Sequence, residues 1–350
     1  MNAIHKIKYR TKRFVVPILF RCGYYSWLLR KRGRDNRCLI LMYHRIGNQE
    51  AEGGHRNSQD GGISRWNFEK QMQFLSEHMT PVSLPFLVKS LNARLLIPPR
   101  SVVVTFDDGY ADNYLNAYPI LKKYRIPATI FLATGYISTG RRFWWDQLRA
   151  MIRQNPKLPW VLEKNGLLPP KFYRTWFSAD PCGHPEMVES LISYIWRRQN
   201  MCPDEWVDLL GREFDSHPPT DDYAPLTWEQ VQEMSRHNLD FGSHTVSHPN
   251  MVHLSSQKVE EELGVSKNTI EHYLGRPVEG FAYPIGRREH YDTRIKALVR
   301  KVGFQYACTA QLGCIYPEKW DVFSLNRIPP PDSLPYFVRD LSHYLTLPVP

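Results

Sequence analysis

Two acids and two histidines carry the chemistry that can be read from this chain. Asp107 and Asp108 end the stretch V-V-V-T-F-D-D-G-Y (Val102–Tyr110). Its valines, threonine and phenylalanine predict a short buried strand. Successive strand side chains point to opposite faces, so both acids serve one spot only if the backbone turns. Gly109 permits that turn. Two carboxylates at a strand end suit two roles, one bound to a metal and one held as a base. A plain Asp-Gly turn with solvated charges reads the same residues equally well. The second stretch, L-D-F-G-S-H-T-V-S-H (Leu239–His248), is another short apolar run, ending with His244 and His248. Imidazoles at i and i+4 reach one ion from a helical turn or a tight loop. A lone H-x-x-x-H is more often a surface coincidence. Both clusters, however, follow a predicted strand, where α/β folds place their sites. Asp108, His244 and His248 together would make a metal face with open positions for water and substrate.

Further motifs stand around these two. L-M-Y-H-R-I-G precedes T-F-D-D-G-Y, and S-H-T-V-S-H-P-N-M, F-A-Y-P-I-G and Y-A-C-T follow it in that order. In this order they resemble the polysaccharide deacetylases of the NodB-homology type (carbohydrate esterase family four), in their bacterial exopolysaccharide branch. The resemblance runs from about Leu39 to Ile328, with a weak stretch in the middle. It implies an incomplete (β/α)7 barrel and hydrolysis of N-acetyl groups on an amino-sugar glycan. It also implies that Asp107 is the general base, that Asp108, His244 and His248 hold a divalent ion, and that the Tyr110 N–H is an oxyanion donor. Zinc is the first expectation, and cobalt, nickel or manganese fit the same ligands.

The chain departs from the family pattern twice. The third-motif arginine that supports the base has no clear equivalent. Tyr283 and Pro284 stand near that position and are read as substrate contacts. The late L-x-x-H, whose histidine is the acid, is replaced by L-N-R-I at Leu325–Ile328. His44, ending the first predicted strand, is then either the acid or a loop-bonding neighbour. Arg327 stays charged and could orient Asp107.

The elements that must position these residues alternate. Strands are expected at Cys38–Tyr43, in Val102–Tyr110, at Ala128–Leu132, up to Ser243, and at Phe281–Tyr283, Tyr306–Thr309 and Phe323–Ile328. Helices are expected at Arg65–His78 after a Ser64 cap, and at Asp112–Tyr124 with Leu115, Tyr118 and Leu121 inward. Others are expected from Thr227 to His237 behind a capping box, at Ser255–Leu274, and at Asp292–Val302. Such alternation calls for a barrel of parallel strands. Asn48–Gly62 reads as a mobile loop. Residues 140–225 break the alternation and carry six of the ten tryptophans, Trp144, Trp145, Trp160, Trp176, Trp196 and Trp206. They read as a helical insertion over the barrel mouth within a catalytic domain of residues 37–350. Trp144 and Trp145 could stack on sugar rings, although a core of the insertion's own is the favoured reading of most of these tryptophans.

Residues 1–36 are basic and aromatic. Their apolar run of about 16 residues, interrupted by Pro17, Arg21 and Gly23, falls short of the ~20 that span a bilayer. No small-residue cleavage site follows, which argues against a secretory signal. An interfacial segment on an anionic membrane and a helix packed on the barrel fit equally well. The balance of 45 Lys+Arg against 35 Asp+Glu, a net charge of +10, favours anionic partners, but no basic tract with interleaved aromatics beyond the N-terminus points to nucleic acid. The six cysteines form no C-x-x-C and read as reduced thiols. The expected place is the cytoplasm, with peripheral contact at the inner membrane face. Two competing readings are a non-catalytic glycan- or membrane-binding relative and an O-acetyl esterase.

Overall fold

The computed structural model describes residues 14–32, 36–47, 62–155, 158–164, 168, 185–196, 207–208, 210–211 and 224–346. Its strands are β1 (Cys38–Tyr43), β2 (Ile46–Gly47), β3 (Ile63–Ser64), β4 (Thr80–Pro81), β5 (Ser101–Phe106), β6 (Ala128–Leu132), β7 (Leu239–Ser243), β8 (Gly280–Ala282) and β9 (Tyr306–Cys308). β1, β5, β6, β7, β8 and β9 pair in that order, all parallel, with β4 on the start of β5. β5 is buried at all six positions, as a parallel strand covered on both faces must be.

A seventh strand was expected at Phe323–Ile328. The structure instead has isolated parallel bridges there, from Leu325 to Cys308 and from Ile328 to Leu41. The Leu325 N–H donates to Ala307 O at 2.9 Å and the Ile328 N–H to Ile40 O at 2.8 Å. The stretch thus closes the gap between β9 and β1. It is no regular strand because the Arg327 N–H leaves the sheet for Gln311 O, and three prolines follow without donors.

The helices are α1 (Tyr24–Arg32), α2 (Arg65–His78), α3 (Leu84–Asn92), α4 (Tyr118–Tyr124), α5 (Trp144–Gln154), α6 (Leu158–Lys164), α7 (Pro185–Trp196), α8 (Trp228–Ser235), α9 (Ser256–Leu274), α10 (Thr293–Lys301) and α11 (Leu334–Thr346). Ser64 caps α2 by accepting from the Asn67 N–H, and Thr227 and Gln230 form the expected capping box on α8. The helix expected over Asp112–Tyr124 opens instead with a π turn at Asn113–Ala117. The wider turn rotates the face, so Leu115 is 60% exposed while Asn113 and Asn116 are buried. Their amides donate to His44 O at 2.8 Å and Ile46 O at 2.6 Å, tying down the chain that leaves β1.

The insertion has its own core, in which Phe143, Trp144, Leu148, Leu191 and Ile192 pack apart from the barrel interior. Trp176, Trp206, the Trp196 side chain, the basic cluster of residues 6–13 and most of the loop expected at Asn48–Gly62 lie outside the described residues. No helix among the described residues is long and apolar enough to cross a membrane.

Candidate active site

Asp107 and Asp108 leave the end of β5, His244 and His248 follow β7, and His44 follows β1. Parallel pairing brings these strand ends to one mouth of the barrel. Gly109 makes the turn, with φ +88° and no space for a side chain: a Cβ would lie 2.7 Å from Leu132. Asp108, Thr245 and His248 all hold left-handed φ values, at +73°, +68° and +56°. Non-glycine residues adopt that region only when neighbours force it. Here the turn after β6 holds both loops. The Ala133 N–H donates to Asp108 O, the Thr134 N–H to Thr245 O and the Gly135 N–H to Val246 O. Gly135 approaches so closely that a Cβ would meet Val246 O at 2.8 Å.

The histidine pair sits on a tight loop, not a helix. Asp108 Oδ1 lies 3.6 Å from His244 Nε2 and 3.7 Å from His248 Nε2. One potential ligand atom from each of the three lies within 4.8 Å of the other two. His244 Nδ1 meets Ala282 O at 2.7 Å, so it carries the proton and leaves Nε2 as the acceptor. Glu262 on α9 braces the loop, its carboxylate accepting from the Val246 and Ser247 N–H groups and from the Ser247 hydroxyl. Sequence reasoning missed this residue, since nothing distinguishes it from the other acids of an amphipathic helix.

Electrostatics divides the two aspartates. Burial alone would raise the Asp107 carboxyl, but the charge of Arg327 overrides it and holds Asp107 below the usual carboxylate range. Arg327 donates to both Asp107 oxygens, at 2.7 and 2.6 Å, while its Nε donates to Thr309 O at 2.8 Å. The guanidinium is wholly buried inside the barrel. Asp108 is driven well above its ordinary value by burial and by the charges of Asp107 and Asp146. Burial pushes His244 down to about 4, against the pull of Asp107, and burial with His244 pushes His248 well down. Both imidazoles are therefore neutral at neutral pH. Two neutral nitrogen donors converge on a carboxyl short of positive charge, and that donor set fits a divalent cation.

The remaining sequence candidates divide. Arg327 reaches Asp107, as its charge suggested. Half-buried His44 responds to burial first, which lowers it, and then to Asp107, Arg327 and Arg149, so it shares the site's field. The Tyr110 peptide is held on both sides, as the Leu226 N–H donates to Gly109 O and the Ala111 N–H to Ala224 O. The Tyr110 hydroxyl donates to Asp146 at 2.6 Å and accepts from the Trp145 indole at 2.8 Å. Trp145 lies with its ring 4.8 Å from that of His248, so it packs on the site and its indole N–H is committed to Tyr110. Trp144 is fully enclosed in the insertion core and offers a sugar no face. Tyr283 is likewise buried, with its hydroxyl on Phe323 O and its ring stacked on Tyr291. Pro284 is buried too. The expected substrate contacts at Trp144, Tyr283 and Pro284 are thus corrected to packing: large apolar groups next to a site are buried by the same core that builds it.

Comparison with known proteins places this geometry. A family model described as polysaccharide deacetylase matches residues 97–157 and 209–307. YxkH of Bacillus subtilis (strain 168), which is named for the same activity, is 22% identical over 87% of this chain and 74% of its own. The poly-beta-1,6-N-acetyl-D-glucosamine N-deacetylase of Staphylococcus aureus is 34% identical over 115 residues. That match covers 30% of this chain and spans only 38% of the staphylococcal protein. Among solved structures, the Streptococcus pyogenes deacetylase PplD in complex with acetate superposes with TM-score 0.57 at 22% identity, over 89% of this chain and 99% of that one. IcaB from Ammonifex degensii gives TM-score 0.56 at 18% identity, over 90% and 99%.

Proposed function

Since the chain belongs to the polysaccharide deacetylase family of enzymes, we propose that it hydrolyses N-acetyl groups on an amino-sugar glycan with the help of a divalent ion. One observation carries this reading: an aspartate kept ionised by a buried arginine stands beside an Asp-His-His trio. Asp108, His244 and His248 would hold the ion, zinc first, which when bound polarises the amide carbonyl and makes water more acidic. Asp107 takes the proton from the attacking water, and Arg327 keeps its carboxylate charged and oriented. The Tyr110 N–H would donate to the oxygen where negative charge develops. His44 gives a proton to the departing amine. The C–N bond breaks, and the products are acetate and a free amino sugar.

The staphylococcal likeness supports a polymer of β-linked N-acetylglucosamine as the substrate class. The test is acetate release from such a polymer and from an O-acetylated glycan, with chelated enzyme and enzyme reloaded with zinc, cobalt, nickel or manganese. We expect release from the N-acetylated polymer alone, lost on chelation and restored by an ion. Release from the O-acetyl ester alone, or none from any loaded enzyme, would overturn the reading.

A further inference from the structure

Residues 14–32 lie on the outside of the barrel as two helical pieces, residues 14–21 and α1, joined through Gly23 at φ +70°. One side is packed. Val16, Tyr25 and Leu29 are buried in the main core, and the Ser342 hydroxyl of α11 donates to Tyr25 O at 3.1 Å. The other side is bare. Phe14 is 70% and Ile18 57% exposed, and Val15, Tyr24 and Trp27 join them. Their spacing at i, i+3 and i+4 puts them on outward faces. Exposed Arg21, Arg30 and Lys31 stand among them, with Lys31 Nζ 4.8 Å above the Trp27 ring.

Two facts identify the occupant. Contiguous exposed apolar side chains of this size on a folded domain mark an interaction surface. Residues 1–36 also hold ten Lys and Arg against one acid, Asp35. Apolar side chains interleaved with a one-sign basic excess match the boundary between acyl chains and anionic headgroups. There, aromatic rings sit at headgroup depth and lysine stems run alongside them. We propose that the outer face of residues 14–32 is a docking surface for an anionic lipid bilayer. The arm lies in the plane of the interface and does not cross it. The packed side holds the barrel against that interface.

The test uses full-length protein with phosphatidylcholine vesicles, with and without phosphatidylglycerol. Wild type should co-sediment with the anionic vesicles at least about tenfold better than with neutral ones, and this preference should fall as salt rises. The double variant Ile18→Asp/Trp27→Asp should lose the binding while keeping the wild-type melting temperature and acetate release from soluble substrate. Arg30→Glu/Lys31→Glu, which leaves the apolar strip intact, should lose the anionic preference. Equal sedimentation with both vesicles would overturn the proposal. So would a wild-type dimer, broken by Ile18→Asp/Trp27→Asp, that ignores vesicles, since the face would then be covered by a second copy. Neither readout of binding involves the active site.

Discussion

Asp107 owes its charge to Arg327. Removing one partner of a buried, doubly bonded ion pair strands the other, at a cost of about 3–5 kcal/mol. Arg327→Met should therefore lower the melting temperature strongly. The sign of the pH effect follows from the shift. A carboxyl held below its unfolded value contributes stability that is present above that value, near 3.8, and is lost as pH falls through the lower folded value. Without Arg327 the upward push of burial is opposed only by the pulls of His244 and His44. The acid limb of kcat/KM in Arg327→Met should then move to higher pH than in wild type, and an unmoved limb would show that Arg327 does not set the base. His44 carries the opposite dependence, because it must be protonated to serve as acid. Its value is lowered below the ordinary 6.5, chiefly by burial and also by Arg327 and Arg149. The basic limb assigned to it should therefore lie below that pH, and His44→Gln should flatten it while metal content stays unchanged. A wild-type basic limb in the variant would make His44 a structural residue.

At the scale of elements, the ends of β5 and β7 present the candidate metal face, and α9 steadies one of them. Glu262→Ala removes three hydrogen bonds from the histidine loop without touching a ligand atom. Loss of such outer support lowers metal affinity about 10–100-fold. Competition with a chromophoric chelator would measure the loss, and unchanged affinity would show that the loop holds itself. This element also marks what the sequence could and could not tell. The meeting of Asp107, Asp108, His244 and His248 at one mouth of the barrel was legible because apolar runs announce strands and parallel strands end on one side. Cys38–Tyr43 and Arg65–His78 were legible to the residue, through an unbroken apolar run and a serine cap. The π turn at Asn113–Ala117 was not, because its buried face is built from asparagines whose partners are backbone carbonyls distant in sequence. Glu262 was hidden among the other acids of an amphipathic helix, since its partners lie in the histidine loop. α11 was missed behind the proline run that precedes it. The partner of Asp107 was only half visible. Its charge suggested a role, but the closure of the barrel that carries Arg327 to Asp107 is a property of the whole sheet.

For the whole molecule, the net charge of +10 meets a proposed reaction that makes positive charge. Each acetyl group removed leaves an amine that takes up a proton at and below neutral pH. A cationic enzyme should bind an increasingly cationic polymer less well as the reaction proceeds. The final extent of deacetylation of a neutral N-acetylglucosamine polymer should therefore stay partial at low salt and rise with ionic strength, as screening shortens the repulsion. End-point amine titration across a salt series would check this, and an extent independent of salt would contradict it. The barrel and the insertion keep separate cores. The two are coupled at the site through Trp145, Tyr110 and Asp146.

Acetate release by metal-loaded Asp107→Asn, with ion content determined on the same sample, tests most directly whether Asp107 is the base. An amide keeps the shape of the side chain and cannot accept a proton from water. Asp107→Asn should hold one ion per chain, as wild type should, and release acetate about 10²–10⁴-fold more slowly. A fully loaded variant that turns over within a few-fold of wild type would contradict that role.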